Sequence, residues 1–225
     1  MGLTADRGTA MWNDAIPDRS AQQALKRKAI LRAAAAIFSR QGSHGATLEN
    51  VADSLGVSKA ALYRYVLNKN DLILACQEEA LEIADRALTE GEAQGETALE
   101  KIRIGLRLYL VAMMAELGVP ALILEDNALH GEEAARTQAK RDSYETRMRR
   151  LVAEGQADGS IVPAEPKVAV FMLLGAIHWV AKWYRPDGAW TPETVADAIV
   201  DLATRALDTS PVPALAEMPE RTQQH

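Results

Sequence analysis

The chain is poor in the residues that build disulfides, metal cages and sheets. Cys76 is the single cysteine among 225 residues, which excludes an intrachain disulfide and leaves a cysteine-based zinc site short of ligands. Only two Phe occur, and β-branched or aromatic runs of strand length are scarce while Ala, Leu, Glu and Arg dominate. Such a composition favours helices and gives a sheet little to build on. No stretch approaches the roughly 18 consecutive apolar residues of a membrane span, and the opening MGLTADRGTAMWNDAIPDRS has no apolar signal core. A soluble, cytoplasmic, all-α protein without membrane contact is expected. His44, His130, His178 and His225 are widely spaced and show no metal-ligand pattern, and no glycine-rich phosphate loop precedes a helix. Neither an enzyme, a metal site nor a cofactor is expected.

Acidic residues prevail, giving a net charge of -6, but not evenly. The first 70 residues hold ten of the 25 Lys and Arg against five of the 31 Asp and Glu, a net +5 segment joined to a net -11 remainder. Such a field suits a module that meets a polyanion through its N-terminal part alone. Charge by itself is equally compatible with solvated faces.

Residues 1–20 mix Gly, Pro, Asp and Arg without periodicity and read as a flexible arm. A first helix over 21–41 carries Leu25, Ala29, Ile30, Ala33, Ile37 and Phe38 at three- and four-residue steps, with Gly42 as its stop. Thr47 caps a short second helix ended by Gly56, and Ser58 caps a third from Lys59 to about Leu67. Two short helices joined by a glycine-containing turn form a helix-turn-helix pattern. Asn68 caps a fourth helix to about Glu90, with Asp71 supplying a short capping-box acid. Further helices are predicted over 98–117, 120–129, 132–154, 166–184 and 192–207, and a flexible tail over 209–225. The total is about nine: a three-helix head over 21–68 and a larger helical domain over 69–208. The 166–184 helix is apolar nearly all round, which predicts burial on nearly all sides.

In a helix-turn-helix the second helix enters the major groove with its outer edge. Leu62 and Val66 point inward, leaving Lys59, Ala60, Tyr63 and Arg64 outside. Lys and Arg donate to guanine, Ala allows close approach, and Tyr reaches phosphate or sugar. Thr47, Ser58 and Lys69 stand at helix starts, where exposed amides favour phosphate. Tyr63 and Tyr65 also suit packing, and Lys59 and Arg64 suit plain solvation.

From Ala29 to Ala80 the chain closely resembles the TetR family of bacterial regulators, through AAAAIFSRQG, TLENVA, LGVSKAALYRYV and NKNDL in order. The resemblance implies that Lys59, Ala60, Tyr63, Arg64 and Tyr65 are recognition-helix contacts and that Lys69 binds phosphate. Val66 stands where the family usually has Phe, and the aromatic expected near His44 is missing. Both departures look structural.

The segment GAIHWVAKWYRPDG with a following TPE, from Gly175 to Glu193, resembles a TetR subgroup that controls fatty-acid, steroid and aromatic catabolism and includes sensors of CoA thioesters. It implies a homodimer built on the last two helices, with Phe171, Trp179, Trp183 and Tyr184 at the interface, and a palindromic double-stranded DNA operator. An effector cavity is expected to draw its walls from Leu106, Tyr109, Leu110, Met113, Leu122 and Leu124 in the middle helices. Tyr144, Met148, Phe171, Leu174 and His178 complete it. Ordinary core packing explains most of these residues as well. Arg103, Arg107, Arg147, Arg149 and Arg150 suit CoA phosphates or a salt-bridged surface equally. The function implied is a repressor released from its operator by a small molecule, an acyl-CoA thioester being the candidate. The alternatives are a TetR-type activator without a small effector and a dimeric helical scaffold that binds another protein.

Overall fold

The computed structural model describes residues 19–119 and 131–209. Within them lie eight helices: α1 (Arg19–Gly45), α2 (Leu48–Ser54), α3 (Lys59–Leu62), α4 (Lys69–Gln94), α5 (Ala98–Glu116), α6 (Gly131–Asp158), α7 (Pro166–Trp183) and α8 (Pro192–Arg205). Among the described residues the only extended pairing is an isolated bridge between Ile161 and Asp208, so the chain is all-α. The helix expected at 120–129, most of the arm and the tail after Thr209 fall outside the described residues.

Helix starts follow from side chains that accept otherwise unpaired amides. Thr47 accepts from the Asn50 amide at 3.1 Å while Asn50 Oδ1 accepts from the Thr47 amide at 3.0 Å, a reciprocal box. Ser58 accepts from Ala61, Asn68 from Asp71, Thr97 from Glu100 and Thr191 from Thr194. α1 leaves helical geometry at Gly42 (φ 72°), where the sequence stops it, but a last turn resumes to Gly45.

α3 is shorter than the expected Lys59–Leu67. The Leu62 carbonyl accepts from both Tyr65 and Val66, which tightens the chain into a turn. The Leu67 amide is then drawn to the Asp71 carboxylate at 2.9 Å, because α4 must begin at Lys69.

α1 packs on α4, and α4 runs along α5. α5 in turn meets α6 and α8, and α7 closes against α6 and α8. One apolar cluster runs from Ile30 and Phe38 of α1 through Leu72 and Ile73 of α4 to Leu106, Met148, Val170 and Val200. Ion pairs brace the outside. Arg147 of α6 donates to Asp85 at 2.8 Å and to Glu92 at 3.1 Å on α4, and Arg103 of α5 donates to Asp201 of α8 at 3.1 Å.

The expected all-round burial of α7 does not occur in the single chain. Ala169, Val170, Leu173, Ile177 and Val180 are buried, but Val168 is 65% exposed, Phe171 50% and Trp179 64%. α6 and α8 cover one side of α7 only, so its other side is an uncovered apolar stripe.

Candidate nucleic-acid interface and effector cavity

The turn from Gly56 to Ser58 sets α3 across α2, with Leu62 (1% exposed) and Val66 (7%) locked into the core beside Leu48 and Val51. That fixes the opposite edge. Lys59, Ala60, Tyr63 and Arg64 are all exposed on it, while Tyr65 is half-buried and packs against the core. Lys59 bonds Glu49 of α2, which holds the Glu49 carboxyl below its usual pKa and raises that of Lys59. The Lys59 ammonium also lies 5.9 Å from the Tyr63 ring centroid. An exposed pair of this kind is screened by water and yields readily to a better acceptor.

Thr47 and Ser58 are exposed at helix starts, each engaged through its oxygen as a cap. Lys69 donates to the Ala46 carbonyl at 3.1 Å and the His44 carbonyl at 3.5 Å. It thereby fastens the start of α4 to the α1–α2 corner. Arg32 of α1 makes a second fastening, donating to the Ala115 carbonyl at the end of α5 at 2.8 Å.

A cavity of about 370 Å³ lies among α4, α5, α6 and α7. Of the residues expected to line it, Tyr109, Tyr144, Phe171, Leu174 and His178 do so. Leu106, Leu110, Met113 and Met148 are fully enclosed core residues that do not reach it. Leu122 and Leu124 lie outside the described residues. The sequence reading missed the wall supplied by α4, namely Gln77, Ala80, Leu81 and Ala84, and the rim on α6, Gln138, Arg141, Asp142 and Glu145. A signal was present for Gln77: it follows Ile73 by four residues and precedes Leu81 by four, on the inward stripe of its helix.

Burial pushes the Tyr109 and Tyr144 phenols well above their usual pKa, so both keep their protons. Burial, and then the Arg141 guanidinium, lower the pKa of His178 and keep its imidazole neutral. A second groove of about 350 Å³ adjoins the cavity across Leu81 and Tyr144 and carries both signs of charge, Arg86, Lys140 and Arg147 beside Glu82 and Asp85. Arg103, Arg107, Arg147, Arg149 and Arg150 all stand in ion pairs within the chain. Among the described residues no group of His, Cys, Asp or Glu is placed to hold a metal ion, and no helix is long and apolar enough to cross a membrane.

At the expected interface, Trp179 is exposed on the α7 stripe with Val168, Phe171 and Met172. Trp183 is half-buried, edge-on to Trp190 with ring centroids 5.9 Å apart. Tyr184 is only 9% exposed and belongs to the core of its own chain.

Residues 30–76 match the family described as bacterial regulatory proteins, tetR family, and residues 95–207 match the tetracyclin repressor-like C-terminal domain. The HTH-type transcriptional regulator RutR of Escherichia coli K12 is 30% identical over 194 residues, covering 80% of this chain and 85% of that protein. The HTH-type transcriptional repressor KstR2 of Mycolicibacterium smegmatis is 25% identical over 187 residues, covering 80% and 89%. Among solved structures, AibR in complex with isovaleryl coenzyme A and operator DNA superposes with a TM-score of 0.63 at 26% identity, covering 78% of this chain and 96% of that one.

Proposed function

Because the chain belongs to the TetR family of bacterial regulatory proteins, we propose that it is a homodimeric, cytoplasmic repressor released from a palindromic operator by a small-molecule effector. Residues 21–68 form the DNA-binding head and residues 69–208 the effector and dimerisation domain. The observation that carries this reading is the edge of α3. Lys59, Ala60, Tyr63 and Arg64 stay in solvent while Leu62 and Val66 on the same short element are locked inside. Thr47, Ser58 and Lys69 flank that edge as phosphate contacts, Lys69 retaining one of its three ammonium protons beyond its two carbonyls. Tyr65 contributes from a half-buried position.

The effector occupies the cavity among α4–α7. An acyl-CoA thioester is the favoured class because AibR is similar in sequence and fold and has been solved with isovaleryl coenzyme A. The uncovered stripe of α7, including Phe171 and Trp179, supplies the dimer contact. α4 couples the two ends, because it walls the cavity at Gln77–Ala84 and grips the head at Lys69. Effector binding favours a conformer in which α4 moves and the two recognition edges no longer fit successive grooves. A coupling of about 1–3 kcal/mol suffices for a several-fold to hundredfold change in affinity.

The test is fluorescence anisotropy on duplexes flanking the protein's own gene, at fixed salt. The wild type is expected to bind, and Lys59→Ala with Arg64→Ala to weaken binding by about tenfold or more, with a shallower salt dependence. Unchanged affinity in the double variant would move DNA reading away from α3.

A further inference from the structure

Gln77 sits in the middle of α4 and is only 4% exposed. It lines the effector cavity, and neither its Nε2 nor its Oε1 has a hydrogen-bond partner. A buried carboxamide left unpaired costs stability, and native interiors avoid the arrangement. Tyr109, Tyr144 and His178 share the cavity wall, yet none of them bonds Gln77.

We infer that Gln77 is the specificity-determining residue of the effector site, and that it selects a ligand presenting a neutral amide edge. Both atoms are enclosed in the ligand-free chain, so the side chain turns toward the cavity as the ligand enters, its Nε2 donating to the ligand carbonyl and its Oε1 accepting from the ligand N–H. This rests on the effector reading above and deepens it.

The inner wall is uncharged. Gln77, Ala84 and Tyr109 are the buried lining residues, both phenols keep their protons and the imidazole is neutral. The formal charges belong to α6, on Arg141, Asp142 and Glu145, with Gln138, Asp142 and Phe171 exposed at the rim. A ligand therefore enters with its neutral, hydrogen-bonding end first and leaves any charge toward α6.

The discrimination follows from counting partners. A primary carboxamide or a lactam, whose N–H and C=O lie on one edge, satisfies both Gln77 atoms, whereas a trans secondary amide points the two groups apart and satisfies one. An ester or thioester carbonyl satisfies Nε2 and leaves Oε1 unpaired. A carboxylate places an anion against Oε1 and must also leave water for the uncharged inner wall, so it binds worst there. For an acyl-CoA, the two trans pantetheine amides can supply a carbonyl and an N–H only between them, while the thioester supplies a carbonyl alone.

Gln77 also lies eight residues, about 12 Å of helix, from Lys69. A ligand held by Gln77 therefore pulls on the same helix that grips the α1–α2 corner.

Hexanamide, methyl hexanoate and hexanoate share one apolar tail and differ at the head, so they separate the classes. Isothermal titration calorimetry on the full-length wild type is expected to rank them in that order, with hexanamide tighter than hexanoate by about tenfold or more. Gln77→Met keeps the volume and removes the amide. Without ligand it is expected to melt at or above the wild-type temperature, since it removes an unpaired polar group, while losing the preference for hexanamide. On operator DNA it is expected to stay bound when hexanamide is added. A lower melting temperature for Gln77→Met without ligand shows a packing role and overturns the assignment. No heat from hexanamide, equal binding of hexanoate, or a preference that survives in Gln77→Met overturns it as well. Calorimetry reads the cavity whether or not the protein binds any duplex, so failure of DNA binding counts against the repressor reading and not against Gln77.

Discussion

Burial and the Arg141 guanidinium disfavour the imidazolium of His178, so its folded pKa lies below the value of about 6.5 in an unfolded chain. The unfolded state then binds more protons than the folded state wherever the pH is between the two values. Stability from this group is complete above about pH 6.5 and is lost as the pH falls through the folded pKa, below which the loss levels off. His178→Gln keeps a neutral donor and acceptor but cannot titrate. Between about pH 7.5 and 5.5 the wild type should lose more melting temperature than His178→Gln, because other groups titrate alike in both. Equal losses would mean that the imidazole is solvated. Cys76 illustrates the same enclosure from the other side, since burial pushes its thiol up to about 12 and leaves it protonated and unreactive.

α4 and α5 run together through a glycine contact. A Cβ built on Gly91 would stand 2.4 Å from the Lys101 carbonyl oxygen and 2.6 Å from the Gly105 nitrogen, both backbone atoms that cannot turn aside. Ala in place of Gly gains up to about 1 kcal/mol of helix propensity. Overpacking a tight contact costs about 1–3 kcal/mol or more. Gly91→Ala should therefore lower the urea midpoint and leave the unfolding slope unchanged; a raised midpoint would mean that the two helices separate at no cost. The same contact shows where local pattern stops being informative. The polar caps Thr47, Ser58, Asn68 and Thr191 are readable because each acts on amides two or three residues away. Gly91 and Gly155 read as helix stops, yet both lie inside helices, Gly155 to clear Ile161 and Gly91 to admit α5. Only the partner element reveals which kind of glycine each one is. The cavity divides likewise. Its aromatic wall on α5–α7 is visible as apolar spacing, while Ala80 and Ala84 make room by being small and Gln77 is marked among its acidic neighbours by spacing alone, four residues from Ile73 and from Leu81.

At the scale of the whole molecule, the described residues leave a large apolar surface uncovered within a single chain. Val168, Phe171, Met172 and Trp179 line one side of α7, and Leu202 on α8 is 65% exposed. Gly175 stands in the middle of the α7 stripe with open space beyond it, so a facing helix can approach closely there. Contiguous apolar exposure of this kind marks an interaction surface, and in the proposed repressor a second copy of the chain would cover it and so place two α3 edges for one palindrome. The charge pattern leaves the net +5 head as the part suited to face DNA, because the net -11 remainder repels it. Val168→Glu with Trp179→Glu charges the stripe without touching the head or the core. Sedimentation should show a monomer with unchanged far-ultraviolet helicity. Operator affinity should fall by about a hundredfold or more, since the second half-site is then no longer an intramolecular event, while affinity for a single half-site should stay as it was. A variant that remained dimeric would place the two-fold contact elsewhere on the chain, and a monomer with full operator affinity would remove the dimer from the mechanism.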